Sequence, residues 1–168
     1  MADKKITELS ELTTTLEQSD LIVVVDDPSG TPVTKKQQKR NFQIRYAQMQ
    51  PFSMRDEEPC SSGDGKAYMH IPPDINGLDL VYCHAEVKTA GSSGVMEIMV
   101  YNVTQAANML TETIQVDSGE TGSDTAGTSY SIDTSNDDVS TNDLLRLDFD
   151  AIHSSVAAKG CLVTLGFA

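Results

Sequence analysis

The sequence predicts an all-β protein, an antiparallel β-sandwich of jelly-roll type preceded by an extended, hairpin-forming N-terminal arm. Two observations predict this fold class. After residue 66, apolar and polar residues alternate in many short segments, which is the period of half-buried strands. Stretches rich in Gly, Ser, Thr and Asp separate these segments at the spacing typical of a two-sheet sandwich. We expect the arm at residues 1–50, a linker at 51–65 and the sandwich at 66–168.

The arm contains the strongest single strand signal in the chain. Apolar, mostly β-branched residues form an uninterrupted run there, and the segment 27–32 that follows holds the Pro and Gly residues of a turn. Residues 33–36 can return as a second strand. Because a lone hairpin is marginally stable in water, we expect the sandwich or a partner to stabilise it. The residues of the run are Leu21, Ile22, Val23, Val24 and Val25.

A basic segment follows at residues 35–55. Its apolar residues fit a helical period and an alternating period, so the sequence leaves the local structure open. The segment is either a docking patch for an acidic protein surface or an ordinary solvated face. The composition of 51–65, with acidic residues, Pro, Gly and Ser, is typical of a linker. The basic residues are Lys35, Lys36, Lys39, Arg40, Arg45 and Arg55.

The clearest pair of predicted strands closes the chain. Residues 144–150 and 160–167 both alternate in steps of two, so that one face of each strand is apolar. Earlier segments show the same pattern. The residues predicted to share an apolar, inward face are Ala67, Met69, Ile71, Val81, Cys83, Ala85, Val87, Met96, Ile98, Val100, Leu145, Leu147, Phe149, Cys161, Val163, Leu165 and Phe167. Two more short strands are marked by Ile114 and Val116, and by Tyr130 and Ile132.

Three of these strands carry aromatic, His or Met side chains on the face opposite the core. Such a stripe on the second face of a sheet favours contact between subunits. The alternative is that the arm covers one outer face. The residues are Tyr68, His70, Tyr82, His84, Met99 and Tyr101.

The charge is strongly acidic and unevenly distributed. The net charge is −13, with +1 in residues 1–55 and −14 in residues 56–168. Such a chain is not expected to bind nucleic acid, because phosphate would repel it. No apolar run reaches the length of a transmembrane helix, and the N-terminus lacks the apolar core of a signal peptide, so neither membrane contact nor export is expected.

No motif indicates catalysis, a metal site or a cofactor. The acidic segments 117–124 and 133–138 lack the spacing of a calcium loop and favour turns. The histidines His70, His84 and His153 do not cluster with other ligands in the sequence, and the three cysteines have no metal-ligand spacing. A further hypothesis, from a different functional class, is a small hydrolase or lyase that acts on polysaccharide. Such an enzyme would need carboxylates that converge in a groove.

Two parts of the chain resemble virion proteins of tailed bacteriophages. Residues 5–12 and 19–36, with KITELSEL followed by SDLIVVVDDPSGTPVTKK, resemble the N-terminal segment that precedes a fibre, spike or decoration body in such proteins. Residues 114–121, 132–139, 143–148 and 159–167 are similar to small phage structural β-domains. In those families the N-terminal segment attaches the protein to the particle, and the proteins are commonly homotrimers.

The resemblance implies a capsid decoration protein, of the cement or head-fibre type, that is made in the bacterial host cytoplasm and resides on the capsid surface. Its partner is then the major capsid protein or another virion protein. The strand at 21–25 can add to a sheet edge of that partner, and avidity can multiply weak contacts in a trimer. The alternative is a short tail-fibre protein that recognises a host surface glycan. The shortness of the chain favours decoration. The expected anchoring residues are Leu21, Ile22, Val23, Val24, Val25, Lys35, Lys36, Lys39, Arg40 and Arg45.

Overall fold

A computed structural model divides the chain into two compact units, Met1–Gln43 and Ile44–Ala168. It describes strands 21–26 and 33–38 of the first unit, and residues 44–51 and 57–168 of the second. The first unit contains an antiparallel hairpin of β1 (Leu21–Asp26) and β2 (Val33–Gln38). The predicted hairpin is therefore present, and the predicted turn at 27–32 lies outside the described residues.

The second unit is built from short strands joined by turns. A single turn of 3-10 helix, Ser123–Thr125, lies in the loop after β9. Within the described residues, no helix is long and apolar enough to cross a membrane. The strands are β3 (Arg45–Met49), β4 (Gly63–His70), β5 (Leu78–Thr89), β6 (Met96–Asn102), β7 (Ala107–Asn108), β8 (Leu110–Glu112), β9 (Ile114–Val116), β10 (Ser131–Ile132), β11 (Asp138–Val139), β12 (Leu144–Ala151) and β13 (Lys159–Phe167).

The strands of the second unit form two main antiparallel sheets. Sheet I has the strand order β11-β5-β13-β3. Sheet II has the order β4-β12-β6, with β7 and β9 both pairing with β6. Strands β8 and β10 form a separate two-stranded ribbon. The predicted all-β class with antiparallel sheets is confirmed, while the jelly-roll connectivity stays a prediction.

The inward residues of both sheets form one hydrophobic core. Strand β12 contributes Leu145, Leu147 and Phe149, and β13 contributes Val163 and Leu165, all 1% exposed or less. Burial of each such side chain contributes about 1.5–3 kcal/mol to stability. The period of two in the sequence predicts this inward set because successive strand side chains point to opposite faces.

The boundary between the units lies at residues 43/44, whereas the sequence composition predicts it at 50/51. Strand β3 pairs with β13 along its whole length, from Met49 opposite Val163 to Arg45 opposite Phe167. The expected linker also contributes to the fold, because the backbone N–H of Cys60 donates to the carbonyl of Ala158 at 2.7 Å. Arg45 therefore belongs to the sandwich-like unit rather than to the arm.

Loop side chains cover the edge of β5 that faces away from β13. The backbone N–H of Cys83 donates to the hydroxyl of Tyr130 at 3.1 Å, and that of Ala85 donates to Oγ of Ser123 at 3.0 Å. An edge strand with unpaired N–H groups is a template for association with another strand. The loop after β9 thus protects this edge and is fixed against sheet I.

Candidate functional site

A trough runs along β13 on the outer face of sheet I. The register aligns the outward side chains of β3, β13 and β5 in rows across the sheet. Most of the β13 side chains in these rows are small, and those of the flanking strands are long, so β13 forms the floor. The trough consists of Tyr46, Gln48 and Gln50 on the β3 side, Gly160, Leu162, Thr164 and Gly166 on the floor, and Tyr82, His84, Glu86 and Lys88 on the β5 side.

Two tyrosine rings form one end of the trough above Gly166. A Cβ at Gly166 would lie 3.0 Å from Ile44 and from Tyr82, and 3.1 Å from a ring atom of Tyr46, so only glycine fits there without a shift. The rings of Tyr46 and Tyr82 have centroids 5.8 Å apart at 87°, the edge-to-face arrangement that aromatic pairs favour. Desolvation by burial, followed by the neighbouring Tyr130 and Tyr46, raises the pKa of Tyr82 above its ordinary value.

A β-bulge places Val81 beside this aromatic pair. Leu80 pairs with Phe167 and Tyr82 pairs with Gly166, so that Val81 is an extra residue on β5. Leu80 is 1% exposed and Val81 is 42% exposed. The prediction that Val81 faces the core is wrong, because the bulge shifts the alternation by one residue.

His84 lies in the middle of the β5 wall and is held by Ser123. Its Nδ1 is 3.2 Å from Oγ of Ser123, which already accepts the N–H of Ala85. The ring also stacks on Tyr82, with centroids 6.5 Å apart at 23°.

The other end of the trough is a polar depression of about 270 Å³. It is lined by Gln50, Glu86, Lys88, Gly160 and Leu162. The ammonium of Lys88 lies 3.0 Å from a carboxylate oxygen of Glu57, and the hydrogen bond and charge of Lys88 lower the pKa of Glu57. The trough therefore changes from aromatic to polar along its length.

The outer face of sheet II is organised around Arg146. Its guanidinium lies 2.6 Å from Asp148, 3.5 Å from Asp64 and 4.5 Å from the ring centroid of Tyr101. Asp148 also accepts a hydrogen bond from the backbone N–H of Gly65 at 2.8 Å. The hydrogen bond to Asp148 raises the pKa of Arg146, partly offset by burial. The arginine thus joins β4, β12 and β6 on this face.

The predicted subunit-contact residues do not form a single stripe. Tyr82 and His84 lie on β5 in sheet I, whereas the other four lie on β4 and β6 in sheet II. Alternation alone cannot assign a strand to a sheet, so it could not separate the two sets. The four residues on sheet II are Tyr68, His70, Met99 and Tyr101.

The predicted anchoring residues are distributed over both units. The apolar run Leu21–Val25 lies in β1, and Lys35 and Lys36 lie in β2. Lys39 and Arg40 lie outside the described residues. Arg45 begins β3, and two nitrogens of its guanidinium, Nε and Nη2, are buried without a hydrogen-bond partner among the residues described.

The described residues do not bring three potential metal ligands together. His153 is 2% exposed, and neither ring nitrogen has a hydrogen-bond partner in the part of the chain that the structure describes. All three cysteines are buried and free. Cys60, which the sequence places in a linker, is 2% exposed, and interaction with the thiol of Cys161 lowers the pKa of its own thiol.

The trough is the site that sequence reasoning missed. Its β3 wall lies in the stretch whose period was ambiguous, and the alternation of Tyr46, Gln48 and Gln50 is the signal that could have identified it. No protein-family model, curated protein or solved structure matches the chain.

Proposed function

We propose that this chain is a capsid decoration protein of a tailed bacteriophage, attached through its first unit and displaying its second unit on the capsid surface. The observation that carries the proposal is that the resembling residues all belong to one unit. Residues 5–12 and 19–36, which resemble phage attachment segments, lie entirely within the first unit, which ends at Gln43. An attachment segment that is a separate unit can dock without disturbing the core of the other.

The charges of the two units support a division of roles. Residues 1–43 hold six Lys and Arg against seven Asp and Glu, and residues 44–168 hold six against eighteen, for net charges of −1 and −12. The acidic unit is repelled by other acidic surfaces and remains in solvent. The basic residues Lys35, Lys36, Lys39 and Arg40 are those that we expect to contact an acidic capsid surface.

The proposed assembly is a homotrimer whose subunits meet on the outer face of sheet II. This face carries Tyr68, which is 57% exposed, beside the Arg146 cluster. Aromatic residues and arginine are enriched at interfaces between proteins. Three attachment units in one trimer would raise the overall affinity through avidity.

The experiment that tests the proposal is to locate the chain in purified particles by immunogold labelling and quantitative mass spectrometry. Many copies on the head are the expected result. A few copies at the tail would instead support the tail-fibre alternative, and absence from particles would overturn both. Catalytic turnover is not part of the proposal, so degradation of polysaccharide by the pure protein would contradict it.

Two truncations test the role of the first unit. A chain of residues 44–168 should keep its β-sheet circular dichroism and lose binding to particles that lack the protein. A chain of residues 51–168 also loses β3, the edge strand of sheet I, so its stability should fall as well. Binding by the folded 44–168 chain at full strength would refute attachment through the first unit.

A further inference from the structure

The trough on sheet I combines an aromatic end with a polar depression, and we propose that it binds a neutral saccharide chain. Its floor spans six residue steps from Gly160 to Gly166, about 20 Å at ~3.3 Å per residue. That length suits a short oligosaccharide lying along β13. The inference does not depend on the capsid assignment, because it rests on side chains of the second unit alone.

The aromatic end matches the apolar face of a sugar ring. Tyr46 is 61% exposed and Tyr82 is 37% exposed, and their edge-to-face packing holds both rings in place before a ligand binds. An aromatic ring with a polar tip offers contact area and a hydrogen bond together. A pyranose has the same dual character, with C–H groups on its faces and hydroxyls around its edge.

The polar side chains of the trough match the hydroxyls of a saccharide. The side-chain amides of Gln48 and Gln50 can each donate a hydrogen bond to one sugar hydroxyl and accept a hydrogen bond from another. The carboxylate of Glu86 can accept a hydrogen bond from a sugar hydroxyl. Gln48 is oriented by Thr164, whose Oγ1 is 3.5 Å from its Nε2. A few polar groups on a largely preformed site are what fixes the orientation of a small ligand.

The charge around the trough favours a neutral ligand. Lys88 is the basic side chain of the trough, and it is paired with Glu57 at 3.0 Å. The carboxylate of Glu86 lies on the same β5 wall, two residues from Lys88, and the whole unit has a net charge of −12. An anionic saccharide would meet repulsion without a compensating basic cluster.

The polar half of the trough argues against a second copy of the chain as its occupant. Gln50 and Glu86 are exposed and line the depression. A flat subunit contact would remove both from water, and charged residues are depleted at the centre of protein interfaces. A saccharide replaces the lost water contacts with its own hydroxyls.

The test uses the full-length chain on an array of neutral and anionic oligosaccharides. The strongest neutral binder is then titrated while tyrosine fluorescence is recorded, since the chain has no Trp. We expect Tyr46→Ala and Gln50→Ala to weaken binding about tenfold or more. The control is Val156→Ala, at an apolar side chain that lies outside both the trough and the proposed subunit contact and is 54% exposed against 61% for Tyr46; it should change affinity by less than about twofold.

Several outcomes would overturn the inference. These are no binding to any neutral oligosaccharide, a preference for anionic ones, or binding that Tyr46→Ala and Gln50→Ala leave unchanged. Sedimentation equilibrium tests whether the trough is instead a contact between copies of the chain. If it is, Tyr46→Ala will lower the mass of the assembly, and that result also overturns the inference. Circular dichroism of each variant separates loss of the site from loss of the fold.

Discussion

Replacing Asp143 tests the polar network that joins the turn after β6 to the turn before β12. Its Oδ2 accepts hydrogen bonds from Nδ2 of Asn102 at 3.1 Å, Nε2 of Gln105 at 2.9 Å and the backbone N–H of Ser140 at 3.0 Å. Asp143 is 4% exposed and Asn102 is 0% exposed. One carboxylate oxygen therefore satisfies donors from two separate turns.

The structure sets the size of the effect for two substitutions. Asp143→Ala leaves the buried amide of Asn102 and the N–H of Ser140 without their acceptor, at about 1–3 kcal/mol each. We therefore expect a loss of about 3–4 kcal/mol in the free energy of unfolding. Asp143→Asn keeps a carbonyl oxygen and loses the charge, which about halves the strength of each hydrogen bond. Its expected cost is about 1–2 kcal/mol.

The effect of Asp143→Asn should depend on pH. Burial raises the pKa of Asp143, but the hydrogen bonds from Ser140, Asn102 and Gln105 outweigh it and lower the pKa overall. A lowered pKa in the folded state adds stability above the pKa of the unfolded chain, about 3.9, and this stability is lost as the pH falls through the folded value. The difference between wild type and Asp143→Asn should therefore be largest at neutral pH and shrink below about pH 4.

The assay is urea unfolding of the full chain followed by far-ultraviolet circular dichroism at several pH values. Asp138→Asn is the matched control, since Asp138 is an exposed carboxylate on the neighbouring β11. Its effect should stay within about 0.5 kcal/mol. The reasoning is refuted if Asp143→Ala is as mild as this control, or if the cost of Asp143→Asn is the same at acid and neutral pH.

Three further predictions address packing and the cysteines. Oxidation with copper-phenanthroline should join Cys60 to Cys161 in a disulfide. After oxidation and unfolding, neither thiol should then react with an alkylating reagent. Alkylation of both thiols in the oxidised, unfolded protein would contradict this prediction. Gly166→Val should lower the free energy of unfolding by about 1–3 kcal/mol, since its side chain would overlap the aromatic end of the trough; urea unfolding measures it. Gly91→Ala, whose Cβ would overlap the ring of His153 and lie 2.8 Å from the backbone nitrogen of Ala158, should cost at least about 2 kcal/mol in the same assay. An unchanged midpoint would contradict this prediction.

The period of the sequence predicted the core well where strands are regular. Leu145, Leu147 and Phe149 alternate without interruption, and all three are buried. The same reasoning failed at Val81, because a bulge is decided by the partner strand. Gly166 and Phe167 are consecutive in β13, but their partners in β5, Tyr82 and Leu80, are two residues apart. No pattern within residues 78–89 indicates this bulge.

The sequence could not identify the candidate site for a related reason. Alternation tells which residues share a face of one strand, but sheet order tells which faces lie side by side. Tyr46 and Tyr82 are separated by thirty-five intervening residues of sequence and become neighbours only because β13, the last strand, lies between β3 and β5. Tyr82 and Tyr68 are closer in sequence and lie on different sheets.

Strand β3 is the element on which both proposals depend. It directly follows the first unit in sequence, and it supplies the wall of the trough that carries Tyr46, so its assignment to the second unit decides which truncation is informative. If the arm extended to residue 50, removing it would remove attachment and saccharide binding together, and the two could not be separated. With the boundary at 43/44, the chain of residues 44–168 should lose attachment and keep saccharide binding. The proposed attachment residues all precede residue 44, whereas the residues of the trough all follow it, so the two functions depend on different side chains. Loss of both activities in a folded 44–168 chain would contradict this separation.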